Sequence, residues 1–321
     1  MATQQLPPSG AKTPAKLVAT RGRAEAKEAR SGRLFVAPFL IMFTVVFLIP
    51  MIVAIRQSFF TKKAAGGGLF GGGEAVDVFV GLENYAAVVT DTRFWAGIGR
   101  VVGYAAFQIP VMILMALALA LVLDSFLTRH VTIYRLGFFL PYAVPGIVAA
   151  MVWMYMYTPE ISPIVKGLSA LGLDVNFMGE NMILLSMANM TTWTFTGYNM
   201  LIFLAALQAI PHDLYEAARL DGATGFQVTT KIKVPMVRGA ALLTVLLSII
   251  GTIQLFNEPT VMATVNPWMG NDYTPMMMAY NTMLGQISPG GDGPASAISI
   301  VMALIAGGLA VVYALLQRKK D

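Results

Sequence analysis

Residues 211–239 read PHDLYEAARLDGATGFQVTTKIKVPMVRG and separate two long apolar runs. Among the connections between apolar runs, this is the long one whose residues carry folding signals. Asp213, followed three residues later by Glu216, has the form of a helix N-cap with its reciprocal partner, and Gly222 falls where a short helix over 214–221 has to stop. Thr224 and Gln227 repeat the opening signal and predict a second helix over about 225–233. Pro235 is expected to end it, because the residue before a proline is pushed out of the helical region. Leu214, Ala217 and Ala218 share one side of the first helix, leaving a surface small enough for a partner's backbone to approach. Capping alone would also account for Asp213 and Glu216. A helix, glycine corner and helix also opens DNA-binding modules, but this stretch holds four basic residues (Arg219, Lys231, Lys233, Arg238) against three acidic ones (Asp213, Glu216, Asp221). It lacks the clustered Lys and Arg of a nucleic-acid face.

Outward from this loop the chain is strongly apolar. Of its 321 residues 56% are hydrophobic and only 12% charged, and mean hydropathy is +0.67, which places it in a bilayer rather than among soluble domains. Segments of about 20 residues cross the hydrocarbon core, and six can be drawn, over 34–56, 95–123, 136–157, 182–210, 240–261 and 295–316. Continuous apolar runs of this length are helical, since barrel strands alternate and are half as long. The expected fold is therefore all-α and polytopic: a basic, disordered tail over 1–33, a transmembrane domain over 34–316 with the folded loop at 211–239, and a short tail over 317–321. With both termini inside, the inner pieces hold sixteen Lys and Arg and the outer pieces four. That bias sets the orientation and puts the folded loop in the cytoplasm. The net charge of +5 is thus a topology signal and carries no implication of nucleic acid. The absence of cysteine excludes a disulfide framework and a thiolate metal site. His130 and His212 fall in expected loops, as solvated side chains.

Several membrane residues carry chemistry. Arg100, about one turn inside its segment, either lines a polar pathway or snorkels to the interface. Pro141 and Pro145 in PYAVP should break or kink the third segment, and Pro110 lies near the middle of the second. NMTTWTFTGYN, residues 189–199, is a polar and aromatic patch in an otherwise apolar helix. Two readings stand: the Thr hydroxyls bond back to the helix and hold neighbours together, or Thr191, Trp193, Tyr198 and Asn199 offer rings and hydrogen bonds to a hydroxyl-rich, uncharged solute. Ser248, Thr252 and Gln254 lie on or beside one inward stripe of the fifth segment. Asn257, Glu258 and Pro259 are read as its end, and the Lys- and Arg-free outer loop after it as a partner-facing or solvated surface. The runs of three glycines at 66–68 and 71–73 read as a flexible span, with order resuming at Phe79. No glycine-rich phosphate loop, metal-ligand cluster or nucleophile-base arrangement occurs, so neither a catalytic site nor a bound cofactor is expected in this chain.

The folded loop resembles the EAA loop of binding-protein-dependent ABC transporter permeases: Glu216, Ala217, Ala218, three residues, Gly222, nine residues, Ile232, one residue, Val234 in place of leucine, and Pro235. Thr229 and Gly239 replace an aromatic and a proline found in many sugar permeases. FVGLENY at 79–85 and PYAVP followed by Trp153 are further points of similarity to that subgroup, closest to first subunits of the maltose-permease kind. The resemblance implies the six-helix architecture of a type I ABC importer permease, importing a sugar or sugar-like solute. It implies that Glu216, Ala217, Ala218, Asp221, Gly222, Ile232 and Pro235 couple the chain to a cytoplasmic ATPase dimer that binds ATP and Mg. It implies a heterodimer with a second permease, an extracytoplasmic solute-binding protein and a prokaryotic cell membrane with its lipid. It also places Trp193 and Tyr198 where the family builds its sugar site, with Ser248, Thr252 and Gln254 near a second contacting helix. The contrasting possibility is an ion-coupled secondary transporter or channel without an ATPase, which calls for internal repeats or titratable midplane residues.

Overall fold

The computed structural model describes residues 32–64, 75–125 and 130–318. The expected tail up to residue 31, both triple-glycine runs, Arg129 and residues 319–321 lie outside the described residues. The chain falls into two compact units, Met1–Arg56 and Gln57–Asp321. The described part of the first is helix α1, within Gly32–Gln57, long and apolar enough to cross a membrane. A π turn at Thr44–Leu48 interrupts its ladder, and Phe39, Phe43 and Phe47 stack one turn apart at 5.9 and 5.6 Å.

The second unit begins with a hairpin that the sequence reading missed. Strands β1 (Phe60–Ala64) and β2 (Ala75–Phe79) pair antiparallel with Phe60 opposite Phe79 and Lys62 opposite Asp77, so order resumes at Ala75, before Phe79. Five-residue strands carry little local signal, and this pairing spans a long connection. GLENY then locks the hairpin to the bundle. Gly81 takes φ +57°, and the Asn84 amide donates to the carbonyls of Ser58 and Phe60 at 2.8 and 2.9 Å. The hydroxyls of Ser58 and Tyr85 meet at 2.6 Å. Helix α2 (Glu83–Thr90) follows.

Helix α3 (Thr92–Leu123) runs through Pro110 without a break, its N-terminus capped by the Asp91 carboxylate, which accepts from the Arg93 amide at 2.8 Å. The next span is broken, as PYAVP leads one to expect. Helix α4 (Val131–Phe139) passes through a tight turn, Leu140–Ala143, into α5 (Gly146–Tyr157), a bend of 95°. Val144 is extended before Pro145, the conformation that a following proline ring favours. Helix α6 (Pro163–Ala170) leads to α7 (Ile183–Gln208), which packs along α3 and receives the break at Gly197, where a Cβ would overlap the Phe138 carbonyl.

Helices α8 (His212–Leu220) and α9 (Gly225–Val228) form the folded loop, and α9 continues through a π turn, Thr229–Lys233, into Val234–Met236. The span Arg238–Ala263 is interrupted at 254–256, giving α10 (Arg238–Ile253) and α11 (Asn257–Ala263). The connection read as a loop contains another helix, α12 (Pro275–Met283), capped by Thr274 and largely buried, before α13 (Asp292–Arg318). Four helices and two bent pairs therefore correspond to the six drawn segments.

Candidate functional site: a midspan cavity and a two-helix loop

In the loop, α8 starts two residues earlier than its acidic signal indicated. Its N-cap is Pro211, with no side-chain cap bond, so Asp213 is a first-turn residue and the reading of Asp213 as cap is corrected. Pro211 supplies the extended entry, and the Asp213 carboxylate complements the helix N-terminus through the macrodipole. The stop is as expected: Gly222 sits at φ +80°, with Gly222 N–H donating to Arg219 O at 3.0 Å and Ala223 N–H to Ala218 O at 2.9 Å. This is a Schellman closure, which needs a left-handed residue. The Thr224 side chain accepts from the Gln227 amide while the Gln227 side chain accepts from the Thr224 amide, so the second capping box forms as read. Pro235 does not end the helix, contrary to the expectation. Val234 stays helical at φ −61°, ψ −46°, because the π turn before it widens the ladder and relieves the clash between the proline ring and the preceding turn.

The loop is anchored from inside and bare outside. Tyr215 and Val237 are buried with Phe203, Leu207 and Ile210, and Ile232 packs against the same cluster. Lys233 Nζ meets Asp124 Oδ2, just past the end of α3, at 2.6 Å, with only 13% and 14% of the two side chains exposed. The same ammonium lies 5.3 Å from the centre of the Tyr215 ring. Burial, with the Asp124 charge nearby, pushes the Tyr215 hydroxyl up from its ordinary pKa. Glu216, Ala217, Asp221, Gly222 and Pro235 are exposed and Ala218 half-buried, and Leu214, Leu220 and Phe226 add exposed apolar surface around them.

The second site is a cavity of about 340 Å³ between α3, the break before α5, α7 and the broken span α10–α11. Thr191, Tyr198, Asn199, Ser248, Thr252 and Gln254, chosen from sequence, all line it; Trp193 does not. Trp193 points elsewhere on α7 and meets Trp153 edge-on at 5.9 Å. The break in the third span delivers Tyr142, whose ring stacks on Tyr198 at 4.7 Å. The two breaks touch, because a Cβ on Gly146 would overlap the Asn257 amide.

Hydrogen bonding sorts the polar patch on α7. Thr194 and Thr196 donate to carbonyls of their own helix, at 3.0 and 2.5 Å, and are buried outside the cavity, so their role is structural. Thr191 instead donates across to Glu258 Oε1 at 3.0 Å. Asn199 donates to Phe195 O at 3.0 Å, and Ser248 and Thr252 donate back along α10, leaving their oxygens as acceptors toward the cavity. The sequence reading missed Tyr104, Gln108, Tyr142 and Glu258. A carboxyl within LFNEPTVMA was the available signal, passed over because Asn257 to Pro259 were read as a helix end. Arg100 proves to be a clamp between helices, donating to Tyr273 O at 3.0 Å and lying 4.5 Å from the centre of that ring.

Apolar spans, a polar and aromatic cavity within the bundle, and a two-helix loop anchored inside and exposed outside define a polytopic membrane transport component. The profile of the family described as binding-protein-dependent transport system inner membrane component matches residues 86–321, and the chain belongs to that family. It is similar to the lactose transport system permease protein LacF of Rhizobium radiobacter, at 30% identity over 71% of this chain and 74% of that one. It is similar also to the trehalose/maltose transport system permease protein MalF of Thermococcus litoralis, at 28% identity over 89% and 93%. A crystal structure of a bacterial ABC transporter, described as importing the acidic polysaccharide alginate, shares the fold: TM-score 0.72 and 18% identity over 93% of this chain and 99% of that one. The architecture is that of a type I ABC importer permease, the membrane component of a system whose ATPase is a separate subunit.

Proposed function

We propose that the chain is the membrane subunit of an ABC importer for a sugar or sugar-like solute, and that the cavity holds that solute as it crosses. The observation that carries this reading is the cavity itself: rings of Tyr142 and Tyr198 beside the uncharged polar groups of Thr191, Asn199, Ser248, Thr252 and Gln254, at the breaks of two spans. Its volume falls in the range of small-molecule sites, about 300–1,000 Å³. Aromatic faces with a few placed hydroxyls and amides suit a solute that is itself a ring bearing hydroxyls. The lactose and trehalose/maltose transport systems of LacF and MalF support the same solute class.

The exposed side of the two-helix loop, with Glu216, Ala217, Ala218, Asp221, Gly222 and Pro235, docks into a cleft of an ATPase dimer that binds ATP and Mg, while Ile232 ties the coupling loop to the buried cluster behind it. Both termini and this loop are cytoplasmic, in keeping with the distribution of Lys and Arg. A second permease completes the pathway, lipid surrounds it, and an extracytoplasmic solute-binding protein delivers the solute. Rigid-body displacement of the loop alternates access to the cavity. Uptake of labelled neutral disaccharides into vesicles carrying the full set of subunits tests this. The expected result is uptake that needs ATP, the ATPase and the binding protein; uptake by this chain alone on an ion gradient would overturn it in favour of a secondary transporter.

A further inference from the structure

Among the described residues, Glu258 is the only carboxyl that lines the cavity, and no Lys, Arg or His does. It enters because α10 breaks at 254–256 and α11 restarts at Asn257, which swings the second residue of the new helix inward. Apart from Thr191 and its own backbone amide, the Glu258 carboxyl has no hydrogen-bond partner among the described residues, and no cation pairs with it. Tyr104 on α3 lies close to Thr191. It is 2% exposed and lines the same cavity as Thr191 and Glu258, and its hydroxyl, though close to Thr191, makes no hydrogen bond of good geometry.

A buried phenol without a well-formed hydrogen bond and a carboxyl with spare acceptor capacity are each costly in an apolar bundle. Water or a solute has to complete them. The pair has a definite complement: one hydroxyl that donates to the carboxyl and a neighbouring oxygen that accepts from the phenol, which is the pattern of adjacent hydroxyls on a sugar ring. Thr191 holds the carboxyl in place by donating to Oε1. An anionic solute finds the reverse. In either protonation state of Glu258 the cavity supplies no counter-charge, and an unpaired anion in a low-dielectric site is strongly disfavoured.

We infer that Glu258, oriented by Thr191 and flanked by the Tyr104 hydroxyl, is the specificity-determining group of the cavity, selecting solutes that present adjacent neutral hydroxyls and excluding anionic ones. This deepens the sugar-import reading and rests on it.

The test is equilibrium binding to the assembled permease pair in lipid nanodiscs, without the solute-binding protein. The probes are lactose, maltose and trehalose as neutral ligands and digalacturonate as the anionic one, with Glu258→Ala, Glu258→Gln and Tyr104→Phe compared with wild type. Wild type is expected to bind at least one neutral disaccharide and to bind digalacturonate at least tenfold more weakly. Glu258→Ala is expected to raise Kd for the neutral ligand by about tenfold or more, the scale of a lost hydrogen bond to a carboxylate. Glu258→Gln, which keeps size and one acceptor, falls between, and Tyr104→Phe shows a smaller loss. If both Glu258 variants bind within twofold of wild type, or digalacturonate binds as tightly as the neutral sugars, this inference is overturned and the import reading stands. Wild type binding none of the neutral sugars overturns both.

Discussion

The Lys233–Asp124 pair ties the two-helix loop to the end of α3, and α3 in turn supplies Tyr104, Gln108 and Met112 to the cavity. Removing one partner should loosen the loop at the point where, on the proposed docking, force passes into the bundle. A fully buried pair costs about 3–5 kcal/mol when one member is removed. Here each side chain keeps about one-seventh of its surface, 13% for Lys233 and 14% for Asp124, so water relieves part of that penalty. A loss of about 2 kcal/mol is the reasoned figure. Lys233→Met also removes the ammonium from the face of Tyr215, about 0.5 kcal/mol more. Since 1.4 kcal/mol is a factor of ten, Asp124→Asn should raise the opening equilibrium of the loop by roughly thirtyfold. Amide hydrogen exchange across α8, on the chain in nanodiscs, reads this directly as lost protection. A double-mutant cycle with Lys233→Met should return a coupling energy of about 2 kcal/mol. Protection changed by less than twofold in both single variants would refute the claim that this pair anchors the loop, leaving the apolar contacts of Tyr215, Ile232 and Val237 to hold it.

Replacing Gly222 with Ala forces a Cβ onto φ +80° and should cost about 1 kcal/mol of loop stability while uncoupling ATP hydrolysis from uptake, measured as the ratio of phosphate released to solute imported. Gly197→Ala should be far more damaging, because the added carbon overlaps the Phe138 carbonyl; the expected readout is loss of folded protein in detergent size-exclusion chromatography. Tyr198→Ala removes the ring stacked on Tyr142 and should raise KM for uptake by about tenfold, whereas Trp193→Ala, outside the cavity, should leave KM within twofold. The Arg93 guanidinium holds the Asp91 carboxyl below its ordinary pKa of 3.8, so this pair stabilises the fold above that pH and its contribution is lost as pH falls through the lowered folded value. The melting-temperature gap between wild type and Asp91→Asn should therefore be present at pH 6 and close toward pH 3, and a gap independent of pH would count against the pairing.

Much of the loop was legible from residues alone because its signals are local. Thr224 and Gln227 close a capping box within four residues, and Gly222 answers a backbone requirement set by its own helix. The two local errors, Asp213 as cap and Pro235 as stop, arose where a neighbour changed the geometry: Pro211 had already supplied an extended entry, and the π turn made room for the ring. The six apolar segments were legible for the same reason, since the length that spans a bilayer is a property of each stretch by itself.

Apolar length, basic-residue bias and the spacing of the EAA-like motif determined by themselves that this chain is a polytopic permease with one folded loop. Only the tertiary structure decided which polar residues meet. On α7, Thr191 and Thr194 look alike in sequence, but one reaches Glu258 and the other its own helix, and Trp193 turns away while Tyr198 stacks on a ring from a different span. Glu258 joins the cavity because a helix breaks four residues before it. The physical reason is that the face a side chain presents depends on helix rotation and on breaks set by packing against distant segments, quantities that no local pattern of residues encodes.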